Sequence, residues 1–166
     1  MTVLRTARLT LRRARASDLD ALHTVLSDRE TTRYWSTEPH SDVQTTERWL
    51  DAMLASSPEV SEDFVIEYEG AVVGKVGFFR LPEIGFILRR ELWGRGLAFE
   101  AARAVIDHVF ATHNVEELHA DVDPRNAPSL RLLHRLGFFE TARAQRTYCI
   151  GGVWTDSVYL KLPRTR

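Results

Sequence analysis

The chain has 166 residues, 44% of them hydrophobic, and a formal net charge of -1. That length suits one domain over residues 1–166 with a proper core and leaves no room for a second. The near-neutral charge gives no global attraction to nucleic acid or to an anionic membrane surface, and no apolar run is long enough to span a bilayer, so neither is expected as a partner.

Leu9-Thr-Leu-Arg12 alternates as a first strand. Ser17 is placed to cap a helix whose Leu19, Leu22, Val25 and Leu26 share one face. After an irregular stretch from Asp28 to His40, Ser41-Asp-Val-Gln44 reads as a capping box ahead of a second helix through Trp49, Leu50 and Met53. Phe64–Tyr68 and Val72–Phe79 form a hairpin around Gly70, and a tight turn at Pro82 leads into a third strand of this meander, opened by Glu83. Ile84-Gly-Phe-Ile-Leu88 is apolar on both faces, as a central strand requires.

The turn Leu92-Trp-Gly-Arg-Gly-Leu-Ala98 then enters a helix whose Ala98, Ala101, Ala102, Val105, Ile106, Val109 and Phe110 make an apolar stripe. Glycines just before a helix leave backbone N–H groups free, and with the helix dipole these suit a diphosphate. No Walker-type run exists in the chain. The dinucleotide fingerprint fits only in its first two glycines, since Phe99 occupies the third place and four strands precede this one. A coenzyme A cradle is the third reading.

Beyond the helix, Glu117–Val122 reads as a strand and Ala127–Arg135 as a short helix capped by Asn126 and stopped by Gly137. Phe138–Cys149 and Thr155–Leu162 pair across Gly151-Gly152. Because a helix joins the Glu83 and Glu117 strands, those two are expected to be parallel. His119-Ala-Asp121-Val-Asp123 alternates along a strand, and such a run serves packing, hydrogen bonding or solvent more often than a metal, so no metal site is expected. Cys149 stands alone, which rules out an intramolecular disulfide and favours a reducing, cytoplasmic setting.

The run Glu83–Ala101 resembles the acyl-CoA motif of the Gcn5-related N-acetyltransferases (GNAT), whose core is Q/R-x-x-G-x-G/A. Trp93 stands where that core has Gln or Arg, and W-G-x-G-x-A is similar to the branch of ribosomal-protein N-terminal acetyltransferases of RimJ/RimL type. Asn126-Ala-Pro-Ser129, Leu136-Gly-Phe138 and Gly152-Val-Trp-Thr-Asp156 extend that likeness over nearly the whole chain. The resemblance implies an α/β (α+β) fold around a mixed seven-stranded sheet, in the order strand, helix, helix, three strands, helix, strand, helix, two strands.

It further implies acetyl-CoA as co-substrate and a primary amine as acceptor, either a protein or peptide N-terminus or a small molecule. The pantetheine arm would lie along Phe86, Ile87 and Leu88 where two strands splay apart. The diphosphate would sit on the amides of Gly94, Arg95, Gly96, Leu97 and Ala98, with Asn126 and Ser129 beside the cofactor. Arg89, Arg90, Arg95 and Arg131 are candidates for the ribose phosphate, or plain surface charges. Glu83 matches the general base acting through water, the Ile87 amide the oxyanion donor, and Ser129 the proton donor to the leaving thiolate. Leu133 holds the place where many relatives carry a tyrosine acid. Tyr34, Trp35 and Trp154, with Asp156, would meet the acceptor amine, or serve as core. The branch admits a homodimer, for which no motif here argues. A non-catalytic acyl-CoA sensor is the alternative from another class.

Overall fold

The computed structural model describes residues 1–165. Its strands are β1 (Val3–Arg5), β2 (Leu9–Arg12), β3 (Glu62–Tyr68), β4 (Ala71–Arg80), β5 (Glu83–Leu88), β6 (Glu117–Val122), β7 (Phe139–Ile150) and β8 (Val153–Pro163). The helices are α1 (Leu19–Leu26), α2 (Val43–Ala55), α3 (Leu97–Thr112) and α4 (Ala127–Arg135). All eight strands join one sheet in the order β1-β2-β3-β4-β5-β6-β8-β7.

The fold class is the expected one, and the strand count is one higher. Val3–Arg5 folds back on β2 with Val3 opposite Arg12, a three-residue edge too short to show periodicity in the sequence. Two caps also move. Asp18, not Ser17, stands at the N-cap of α1 and makes no side-chain cap bond to it; its carboxylate instead accepts the Arg15 N–H upstream at 2.7 Å and pairs with Arg12 at 2.8 Å. Asp42, one residue after Ser41, caps α2 by accepting the Thr45 N–H at 2.8 Å. At α2 a carboxylate outcompetes the neighbouring serine hydroxyl as acceptor of a helix N–H.

The α3 stripe covers one face of the sheet. Leu97, Ala101, Ala102, Val105, Ile106 and Val109 are buried against Leu11, Phe64, Val76 and Phe78, while Ala98 and Phe110 sit at the stripe's margins. The small Ala101 and Ala102 let the helix approach the strands closely. On the opposite face α1 and α2 bury Leu22, Leu50 and Met53 against Val65 and Val72, and Val25 and Leu26 against Ile87. Helix α4 ends as read, with Gly137 at φ +100 and the Phe138 N–H returning to the Leu133 carbonyl at 3.0 Å. Among the described residues, no helix is long and apolar enough to cross a membrane.

Candidate active site

The glycine turn before α3 exists for its backbone. Gly94 and Gly96 have φ of +75 and +76, and a methyl group on Gly94 would meet nothing within 4 Å, so conformation rather than crowding demands glycine there. Gly96 is the N-cap, no side chain caps the helix, and the amides of its first turn have no intrahelical partner. The turn is held from behind. Arg8 donates to the Arg95 carbonyl at 2.9 Å and to Glu100 at 2.7 Å, and Thr6 donates to the same Glu100 at 2.5 Å. Trp93 donates its indole N–H to the Leu88 carbonyl at 2.7 Å, which explains a tryptophan at this place: it ties the turn to the end of β5.

Beside this turn the sheet opens. Strands β5 and β6 are parallel, as expected, but they pair only at Glu83 opposite His119, where the His119 N–H donates to the Pro82 carbonyl at 2.8 Å. Beyond that point their facing backbone groups do not pair with each other, and of those on β5 the Leu88 carbonyl is taken by Trp93.

Which amides face the gap follows from the alternation of peptide planes. The Arg89 N–H donates to Val73 of β4 at 2.9 Å, and the Ile87 carbonyl is turned toward Gly74 of β4. Alternation then sends the Ile87 N–H toward β4 as well and leaves those of Phe86 and Leu88 toward β6. The Ile87 amide, expected from the sequence to face the cofactor, thus points into the sheet instead. The side-chain pattern alone does not tell on which side the neighbouring strand lies.

Gap and turn open into one cleft of about 1300 Å³. Its walls include Glu83, Phe86, Ile87, Leu88, Gly94, Gly96, Leu97, Ala98, Asn126, Ser129, Tyr34 and Trp35, residues spread over the chain from 34 to 129. Asn126 caps α4 by accepting the Ser129 N–H at 3.3 Å, which leaves the Ser129 hydroxyl to the cleft. Burial pushes the Glu83 carboxyl above its ordinary value, the charge of Asp121 adds to this, and His119 opposes it.

Not every candidate is brought there. Trp154 is 50% exposed and stacks under Arg146 outside the cleft, while its neighbours Thr155 and Asp156 line the wall. Of the arginines, Arg131 lines the cleft, whereas Arg89 leans to Glu91 and Arg90 to Asp28. The backbone of Arg95 belongs to the turn, and its carbonyl is taken by Arg8.

Other residues emerge only in three dimensions. Tyr148 of β7 lines the cleft, and burial, then the charges of Asp121 and Glu83, push its phenol up to about 12. It keeps its proton at neutral pH. Arg135, one turn beyond Arg131 on α4, also lines the cleft and stacks on Phe99 at 4.3 Å. Lys75 and Asp63 close the inner end as a buried pair. Leu133 is fully buried, so the place where many relatives carry a tyrosine is here a packing position.

Comparison with known proteins agrees with this geometry. The family profile described as "Acetyltransferase (GNAT) domain" matches residues 8–139. The uncharacterized N-acetyltransferase p20 of Bacillus licheniformis is 34% identical over 147 residues, 83% of each chain. Spermidine N(1)-acetyltransferase of Escherichia coli K12 is 27% identical over 157 residues, covering 89% of this chain and 82% of that one. Among solved structures, RimL, a ribosomal L7/L12 α-N-protein acetyltransferase in complex with coenzyme A, superposes with a TM-score of 0.86 at 18% identity over 98% of both chains, a likeness of fold.

Proposed function

From the premise that this chain belongs to the GNAT acetyltransferase family, we propose that it transfers the acetyl group of acetyl-CoA to a primary amine by direct attack. The observation that carries this is the joining, in one cleft, of a cap-free helix mouth, a splayed strand pair and a carboxylate with a raised pKa.

The residues fit coenzyme A. The amides from Gly94 to Ala98 suit its diphosphate, the gap-facing N–H and carbonyl of Phe86 and the N–H of Leu88 suit the pantetheine amides, and Arg131 with Arg135 suits the ribose phosphate. When bound, the cofactor supplies an acetyl thioester. Glu83 takes a proton from the incoming ammonium, directly or through one water, because only the neutral amine carries a free electron pair. The Leu88 or Phe86 N–H stabilises charge on the carbonyl oxygen. With acetyl-CoA bound, the N–C bond would form as the C–S bond breaks, the Ser129 hydroxyl would give its proton to the departing sulfur, and the second proton leaving the amine nitrogen would restore that hydroxyl. Tyr148, protonated beside Glu83 and Asp121, is positioned to orient the amine.

For the acceptor, Glu83, Asp121 and Asp156 with Tyr34, Trp35 and Tyr148 make an acidic, aromatic wall suited to a cationic amine or a peptide N-terminus. The spermidine enzyme and RimL are relatives of those two acceptor kinds by their names. A reducing compartment, in which the exposed Cys149 stays a thiol, is the proposed setting. Calorimetry with coenzyme A, followed by thiol release from acetyl-CoA over polyamines, amino acids and peptides, tests the reading. Binding with release at background for every amine would leave a non-catalytic acyl-CoA module, and absence of binding would end both.

A further inference from the structure

A pantetheine arm laid in the gap from the α3 mouth has a fixed end, because β5 and β6 pair at Glu83 and His119. The acyl group at that end has to leave the sheet plane near Gly85. One face is closed to it. Ile84, Phe86, Ala120 and Val122 turn toward α3, where they belong to the main core or pack against it. Alternation along β5 puts Gly85 on the other face with Ile87, and at Gly85 no side chain stands in the way.

The backbone does not require that glycine. Its φ lies outside the left-handed region, and a methyl group there would meet, within 4 Å, only the tip of the Trp35 indole at 4.0 Å. Glycine weakens a strand interior, and close approach of a ligand is a physical reason to keep one.

Trp35 stands at this exit. Its ring packs with Trp49 against the cluster of Val25, Leu26 and Ile87, and the Lys75 ammonium faces it at 5.9 Å. The ring is therefore held in place by its neighbours. Trp49, Ala52 and Met53 line the same cleft and form an apolar shelf. Lys75 and Asp63, buried at the cleft's inner end, are paired at 2.7 Å, and their cancelled charges give a carboxylated acyl group no net attraction.

We propose that Trp35 is the specificity-determining residue for the acyl donor. An acetyl group fits beside Gly85, whereas a butyryl or longer chain runs against the edge of the indole and is kept from the apolar shelf. This rests on the acetyl-transfer reading above and specifies its donor.

Calorimetry with coenzyme A and with acetyl-, butyryl-, hexanoyl- and succinyl-CoA tests this without an acceptor, each affinity being taken relative to coenzyme A on the same protein. On the unaltered chain, hexanoyl-CoA should bind roughly tenfold or more below acetyl-CoA, because an overfilled pocket must displace its walls. Succinyl-CoA should likewise bind below acetyl-CoA. Trp35→Ala should reverse the order of acetyl- and hexanoyl-CoA, since each methylene laid on the shelf adds about fourfold in affinity. Gly85→Ala places a methyl group in the exit and should weaken acetyl-CoA several-fold relative to coenzyme A. A merely structural Trp35 would lower the melting temperature and leave the order of thioesters as it was. If thermal unfolding shows that Trp35→Ala does not fold, Trp35→Leu and Gly85→Ala decide. Hexanoyl- or succinyl-CoA bound as tightly as acetyl-CoA by the unaltered chain, or an order that survives the variants, overturns the inference and leaves acetyl transfer intact. The expected order with thiol release at background for every amine and peptide upholds the acyl pocket and overturns the transfer reading. No binding of coenzyme A overturns both.

Discussion

Glu83 is the residue at which function and stability pull apart. Its carboxyl is raised by burial and by Asp121, so in the folded protein its ionised form is disfavoured. The folded value lies above the unfolded one, so the stability this group contributes is present at low pH and is lost as pH rises through the folded value. Glu83 is exposed at the cleft, where solvent screens its charge, so Glu83→Gln should raise the melting temperature at pH 7 only slightly while lowering kcat by about 10²- to 10⁴-fold. A purely structural glutamate would not show that pairing, and scanning calorimetry beside steady-state kinetics reads it. The proposed base works when ionised, so the acid limb of the kcat/KM profile should lie above that of an ordinary glutamate. Asp121→Asn removes the neighbouring charge and should move the limb to lower pH. Tyr148 and Ser129 are separable in the same way: Tyr148→Phe should raise KM for the amine, whereas Ser129→Ala should lower kcat with coenzyme A affinity kept.

At the scale of elements, the site is the mouth of α3 braced by a turn at the other end of the chain. The tether from Thr6 and Arg8 to Glu100 fixes the first turn of the helix against β2. Gly94→Ala tests the cradle, because its methyl group enters open space and the cost in the free protein is only that of the left-handed backbone, about 1–2 kcal/mol. Calorimetry should show a loss of coenzyme A affinity larger than that stability change explains. Helix α4, which carries Asn126, Ser129 and Arg131, buries Leu133 completely. Leu133→Ala should cost about 2–5 kcal/mol in denaturant unfolding. A smaller value would mean that α4 is held mainly by its cap and by Gly137.

For the whole molecule, acid is the expected weakness. Burial alone would raise the carboxyls of Asp18 and Glu62, but Arg12 holds the first below its ordinary value, and His113, Arg13 and His108 hold the second. Their contribution is present above unfolded values of about 4 and is lost as pH falls through the lower folded ones. Melting temperature should drop as pH falls below that range, and Glu62→Gln should flatten the drop while lowering stability at pH 7. The same scale separates what was legible in the chain from what was not. The α3 stripe, the glycine turn, the Asn126 cap and the Glu83 strand could be read directly, because helix periodicity, left-handed turns and caps are set by residues within a few positions of one another. The Val3–Arg5 edge, the Asp18 and Asp42 caps, the direction of the Ile87 amide, the outward face of Trp154, and the meeting of Tyr148, Lys75 and Asp63 with Glu83 were decided only by tertiary structure. Strand neighbours, register and the buried side of an alternating strand depend on segments far apart in sequence, and no local pattern carries that information.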